Sequence, residues 1–224
     1  MKNFLSLCAG VGFLASAAIA QDAAPGSIEE IMNDLASTNP FAHAIFTDHM
    51  DEAREINAKS QAGDEDGALK AAFDMLRKYS QAAFSAASDA SAIEVMKRAG
   101  DVIDALGDRY PRGCMEFIRN DISSQALTIP SVNEAYRQYQ EALRVAYEDG
   151  KLRQPIPRME IADMYEVVTE DLGETKAERQ TLLHPENVMA IELCAIIRKN
   201  LNISAVREPL RGPYARANLT SKKK

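Results

Sequence analysis

Apolar residues recur along most of the chain at the three- and four-residue spacing of an amphipathic helix. The first stripe consists of Ile28, Ile31, Met32 and Leu35, and it follows a capping box that begins at Ser27. Alternation of apolar and polar residues with a period of two, bounded by turn signals, is essentially missing, so no sheet is expected. The pattern predicts an all-α fold.

Capping and turn signals divide this pattern into a bundle of about seven to eight helices. Capping boxes are expected to start helices at Ser27, Ser91, Ser131 and Thr175, and glycines are expected to stop them at Gly107, Gly150 and Gly173. The second helix should run from Pro40 to about Ser60. The last should begin near Pro185; because it is apolar on most sides, it is predicted to lie in the middle of the bundle.

The beginning of the chain has the pattern of a secretory signal peptide. Lys2 precedes an apolar run from Phe4 to Ala20, which closes on Ala18-Ile19-Ala20. The run is about 17 residues long and rich in small side chains, whereas a membrane span needs about 20 apolar residues. Residues 1–20 are therefore expected to be removed, which would leave a periplasmic or secreted chain that is not transmembrane.

Export changes how the cysteines are interpreted. Of the three cysteines, Cys8 lies in the expected signal peptide, and Cys114 and Cys194 remain in the mature chain. In an oxidising compartment an isolated pair most simply forms one disulfide. This bridge, which would close a loop of about 80 residues, favours a single helical domain over residues 21–205 despite a proline-containing linker at 151–158.

Charge is distributed unevenly along the chain. Residues 21–205 carry a net charge of −13, while residues 206–224 carry +5. An acidic body argues against nucleic acid as a partner. Because Pro209, Gly212 and Pro213 interrupt the basic tail, it is expected to be extended or disordered, and it could dock on the acidic body, touch an anionic surface or stay solvated.

Candidate binding residues concentrate on the sixth predicted helix. Aromatic and basic side chains there could stack on a sugar or grip an anionic peptide, although aromatic residues at helical spacing usually belong to the core. These interaction candidates are Tyr136, Tyr139, Tyr147, Arg137 and Arg144.

Catalytic and metal signatures are weak. His43 and His49 lie six residues apart and so point about 120° apart around one helix, and the pair of His49 and Glu52 has no matching second pair. No Cys-x-x-Cys-His motif is present for covalent haem, so no cofactor and no metal is predicted. Glu192, the one carboxylate inside the most apolar segment, could be a buried general acid, although a residue at the boundary of the core or a member of an internal ion pair is the simpler interpretation.

The leading hypothesis is an exported soluble helical protein that acts by contact with a protein or an envelope component. A helical bundle that binds a small apolar ligand or haem is the alternative. A hydrolase or transferase that uses Glu192 or Glu52 is the second alternative.

Overall fold

The computed structural model describes residues 27–157, 159, 161–185 and 188–220. The expected signal peptide, its cleavage site and Cys8 lie outside the described residues. Within them the chain forms helices and no strand, so the all-α prediction is confirmed. Also within the described residues, no helix is long and apolar enough to cross a bilayer.

Twelve α-helices and one short 3-10 turn (Ile203–Ala205) are present in the described residues, more than the sequence predicts. In chain order they are α1 (Ile28–Thr38), α2 (Pro40–Asp48), α3 (Met50–Gln61), α4 (Glu65–Ala86), α5 (Asp89–Arg109), α6 (Gly113–Arg119), α7 (Ser124–Leu127), α8 (Pro130–Lys151), α9 (Ile161–Asp171), α10 (Lys176–Leu183), α11 (Ala190–Asn200) and α12 (Arg211–Thr220).

Two long helices, α5 and α8, form the centre of the fold. They pack against each other, with α4 and α2 on the other sides of α8 and with α11 and α12 on α5. Their inner faces belong to one hydrophobic cluster, which extends from Met32 in α1 to Leu219 in α12 and includes fully buried Leu106 and Leu143. Burial of these faces is the main favourable contribution to folding.

The predicted second helix is broken at His49. This residue has φ −126° and ψ 45°, outside the helical region, and it divides the segment into α2 and α3. Its ring stacks on Tyr79 of α4, with 3.3 Å between the ring centroids. The break therefore coincides with a tertiary contact, which helical spacing within one segment does not reveal.

Two of the four predicted capping boxes form. At Ser27 and at Thr175, the hydroxyl oxygen accepts from a backbone N–H and the glutamate three residues later accepts from the capping residue's own N–H. The boxes at Ser91 and Ser131 do not form, because α5 is already capped by Ser88 and α8 begins at Pro130. Proline suits the first turn, where its missing N–H costs nothing.

The C-terminal segment is ordered, which corrects the prediction of an extended or disordered tail for residues 211–220. Helix α12 packs on α5 and α4 and buries Tyr214 and Leu219. Pro213 falls in its first turn, where it does not interrupt helical hydrogen bonds. Arg207 donates to the Asp171 carboxylate, and Arg216 pairs with Asp89. The described part of the tail, residues 206–220, thus docks on the acidic body.

Helix α11 lies at the edge of the fold, not in its middle as predicted. The helix begins at Ala190, so Val188 and Met189 precede it. Only its inner face, which carries Leu193 and Ile197, is buried; Ile191 is 61% exposed. The central helix is α5. An apolar run predicts burial, but neighbouring elements decide which of its side chains are covered.

Candidate functional site

The tyrosines proposed as interaction residues lie in the core. Tyr136, Tyr139 and Tyr147 are 6%, 1% and 2% exposed. Tyr139 packs edge-on against Phe117, with ring centroids 5.2 Å apart, and Tyr147 packs edge-on against Phe41 at 6.3 Å. These contacts hold α8 against α6 and α2.

The two arginines from the same prediction lie on the outer side of α8. Arg137 forms two hydrogen bonds with Glu134, and Arg144 forms two with Glu141. Each pair is local to one helix turn. The structure therefore does not bring the five predicted residues together on one surface.

A cluster of ionisable side chains surrounds the break between α2 and α3. Tyr79 donates a short hydrogen bond to the Glu52 carboxylate, and Lys78 donates to Glu52 at 3.2 Å. On the neighbouring turn, Asp48 accepts from Tyr147 at 2.9 Å and from Lys151 at 2.6 Å. Side chains from α2, α3, α4 and α8 thus meet in two adjacent networks.

The electrostatics of this cluster favour ion pairs over acid catalysis. The hydrogen bond from Tyr79, with Lys78 alongside, lowers the pKa of Glu52. Burial alone would raise the pKa of Asp48, but hydrogen bonds from Lys151 and Tyr147 lower it. A general acid at neutral pH needs the opposite shift. The arrangement is typical of side-chain contacts that hold four helices together.

Glu192 is exposed on α11, so it is not the buried general acid that the sequence offered as an alternative. The partly buried carboxylate with a raised pKa is instead Glu174, in the turn between α9 and α10. Burial raises the pKa of Glu174, although a hydrogen bond from Asn200 opposes this shift. In the sequence, Glu174 follows Gly173, which indicates a turn. Nothing in the neighbouring sequence indicates that the Glu174 side chain is partly buried.

The three histidines do not lie together at one site. His43 and His49 belong to the α2 segment and are half-buried, whereas His184 is exposed after α10. Within the described parts of the chain, no three His, Cys, Asp or Glu side chains are grouped as a metal site.

One cavity bounded by described residues is an open groove between α6 and the start of α11, with a volume of about 350 Å³. Two others hold about 20 and 10 Å³, enough for little more than a water molecule. One wall of the groove is α6 with its flanking turns, and the other includes Pro185, Val188 and the start of α11. The lining residues are Arg112, Met115, Glu116, Arg119, Asp121, Pro185, Val188, Ala190 and Leu193.

A disulfide fastens the two walls of this groove together. Cys114 of α6 and Cys194 of α11 lie at disulfide distance, with Cα atoms 5.5 Å apart, as the sequence predicts. Cys114 is next in sequence to the lining residue Met115, and Cys194 is next to the lining residue Leu193. The covalent link therefore sets the spacing of the walls.

Apolar side chains are exposed beside the groove. Met189 and Ile191 are 69% and 61% exposed, and they alternate in sequence with the lining residues Val188 and Ala190. Exposed large apolar groups next to a recess are typical of interaction sites.

The arginines at the groove differ from the others in the described chain. Ten arginines elsewhere form ion pairs: Arg54, Arg77, Arg98, Arg137, Arg144, Arg153, Arg198, Arg207, Arg211 and Arg216. Arg179 lies over the Tyr165 ring. Among described residues, Arg112 and Arg119 have no carboxylate at ion-pair distance, and neither does nearby Arg109.

The chain matches no known family, and comparison with curated proteins and with solved structures also finds no match. The occupant of the groove is therefore argued from its chemistry. Sequence reasoning missed the groove because it assigned Val188–Ile191 to a buried helix. The cysteine pair was the available signal, since it marks the two walls.

Proposed function

We propose that this protein is an exported, non-catalytic interaction protein of the periplasm, which binds another protein through the groove between α6 and α11. The observation that carries the proposal is a recess lined by Arg112 and Arg119, which have no ion-pair partner among the described residues, and by residues next in sequence to exposed Met189 and Ile191. The signal-peptide pattern in residues 1–20 supports export.

The shape and chemistry of the groove favour a macromolecular partner. Small-molecule sites usually enclose about 70–90% of the ligand surface, whereas this groove is open and its most exposed apolar side chains stand beside it. Its lining also includes both charge signs, since Glu116 and Asp121 accompany the arginines. Mixed charge next to apolar groups is common at protein interfaces.

A small apolar ligand in the same groove is the second candidate. The volume of about 350 Å³ is within the usual range for ligand sites, about 300–1,000 Å³. Met115, Val188 and Leu193 would supply the apolar contacts. This candidate predicts a co-purifying small mass, which the protein-partner proposal does not require.

Site-specific photo-crosslinking in the native cells tests the proposal. A benzophenone amino acid at Ile191 is expected to give discrete adducts of higher mass, and Arg119→Glu in the same chain should weaken them. The matched control carries the benzophenone at Leu152, an 83% exposed side chain directly after α8. Adducts that are equal at both positions, or no adducts at Ile191, would contradict binding through the groove.

A further inference from the structure

We infer that Glu174 makes the packing of the α9–α10 turn, residues 172–175, on α11 and α12 sensitive to pH. When its carboxyl group is neutral the turn is held against these helices, and when the group is ionised the contact loosens. The inference concerns a different part of the molecule from the groove, so it does not depend on the proposed function.

The position of Glu174 links four helices. The residue lies in the turn between α9 and α10, and α9 packs on α12 while α10 packs on α11. Its carboxyl group interacts with Asn200 at the end of α11 and with Tyr214 of α12. A change of charge at this side chain therefore acts on both packing contacts.

The Glu174 carboxyl group is incompletely paired. Its Oε1 atom is buried and accepts no hydrogen bond from any described residue. Two cations lie near it, but both have other partners. Lys199 donates to both carboxylate oxygens of Glu178, at 2.9 and 3.0 Å. Arg179 lies over the ring of Tyr165. An ionised carboxylate with a buried, unpartnered oxygen costs more free energy than the neutral group does.

The surrounding groups do not cancel the effect of burial. Burial has the largest influence on Glu174 and raises its pKa. Tyr214 faces it from α12 as a neutral phenol, because burial raises the pKa of Tyr214 as well. The pKa of Glu174 is lowered by one amide and two cations and raised by one carboxylate; these neighbours are Asn200, Arg179 and Lys199, and Glu178 respectively.

The direction of the pH response follows from the raised pKa of Glu174 in the folded state. Below the ordinary glutamate pKa of about 4.3, the neutral group contributes its full stabilisation to the docked turn. As the pH rises through the higher pKa of the folded state, this contribution is lost. The contact of the turn with α11 and α12 is therefore tighter in acid than at neutral pH.

Amide hydrogen exchange of the processed chain, with its disulfide intact, tests the inference at pH 7 and pH 3.5. Glu174→Gln preserves the size of the side chain but cannot ionise. At pH 7 it should raise the protection factors in α9 and α10 about five- to tenfold above wild type, the lower end of what an unpaired buried charge costs. At pH 3.5 the wild-type carboxyl group is neutral, so the two chains should agree.

Two further variants make the result specific. Glu174→Met, a neutral side chain of similar length, should give a similar gain at pH 7, which would assign the gain to loss of charge and not to a new hydrogen bond. Glu55→Gln removes an exposed carboxylate of α3 and should change the protection factors at neither pH.

Three results would overturn the inference. Unchanged or lower protection of α9 and α10 in Glu174→Gln at pH 7 would show that the ionised carboxylate does not loosen the contact. An equal gain at both pH values would show that charge is not the cause. A gain with Glu174→Gln that is absent with Glu174→Met would assign the effect to the amide. None of these measurements involves binding at the groove.

Discussion

Asp149 shows how a single carboxylate joins distant parts of the chain. It lies near the end of α8 and accepts hydrogen bonds from the Ser88 backbone N–H at 2.8 Å, the Ser91 hydroxyl at 2.9 Å and Arg153 Nε at 2.6 Å. Burial alone would raise the pKa of Asp149, but the bonds from Ser88, Arg153 and Ser91 lower it well below its usual range. The folded state therefore favours the ionised form.

Asp149→Asn is expected to lower the free energy of unfolding by about 1–3 kcal/mol at neutral pH, because it weakens several bonds to a charged acceptor. Since the pKa is lower in the folded state, this stabilisation is complete above the ordinary aspartate pKa of about 3.9 and is lost as the pH falls below it. Urea unfolding of both chains at pH 7 and pH 3 measures the difference. Asp51→Asn, at a side chain that is 97% exposed, is the control and should change neither curve. An equal loss at both pH values would show that charge is not the cause.

At the scale of elements, glycine positions decide how closely two helices approach. Gly107 and Gly150 do not stop their helices as predicted, since α5 continues to Arg109 and α8 to Lys151. A Cβ atom at Gly150 would overlap the Ala83 carbonyl oxygen of α4. At Gly107 the nearest atom would be Cβ of Cys194, at an ordinary 3.6 Å.

Gly150→Ala and Gly107→Ala are therefore expected to have opposite effects. At Gly150 the clash with backbone should cost about 1–3 kcal/mol, as overpacking usually does, and this exceeds the gain in helix propensity of about 1 kcal/mol. At Gly107 there is room for the methyl group, so the propensity gain should raise the midpoint of thermal unfolding. Calorimetry of the two variants tests this. A stabilised Gly150→Ala variant would show that α4 and α8 are not in close contact.

At the scale of the whole molecule, covalent and ionic links connect the last third of the chain to the central helices. The disulfide ties α11 to α6, while Arg216 pairs α12 with the start of α5. Arg207 and Arg211 also find partners, so the basic tail contributes internal contacts through residue 220.

Intact-mass spectrometry of the protein from the periplasm tests export and the bridge together. The expected mass is that of residues 21–224 minus two hydrogens, and a dithiol should raise it by two hydrogens. Loss of a bridge that closes a long loop typically costs about 2–5 kcal/mol, so reduction should also lower the midpoint of thermal unfolding. Cys114→Ser/Cys194→Ser should match the reduced protein and should not respond to dithiol. A mass that retains residues 1–20, or that does not change on reduction, would contradict export or the bridge respectively.

The sequence by itself determined the all-α class, most of the helical segments and the cysteine pair. Stripes such as Ile28 to Leu35 depend on helical geometry within a few residues, and Cys114 and Cys194 were the only candidates for a bridge in an exported chain. A helical stripe depends only on neighbouring residues, and the pairing depends only on the number of cysteines, so both can be inferred without the tertiary structure.

Only the tertiary structure decided which apolar and charged side chains remain uncovered. Glu192 and Ile191 lie in the segment that composition identifies as most buried, yet both are exposed because none of the described helices covers that face of α11. Glu174 is partly buried, and residues distant in sequence interact with it, namely Asn200 of α11 and Tyr214 of α12. Likewise, the ordering of α12 depends on its contacts with α4 and α5. Burial is a property of the whole assembly of helices, so the groove between α6 and α11 emerges only when they are packed.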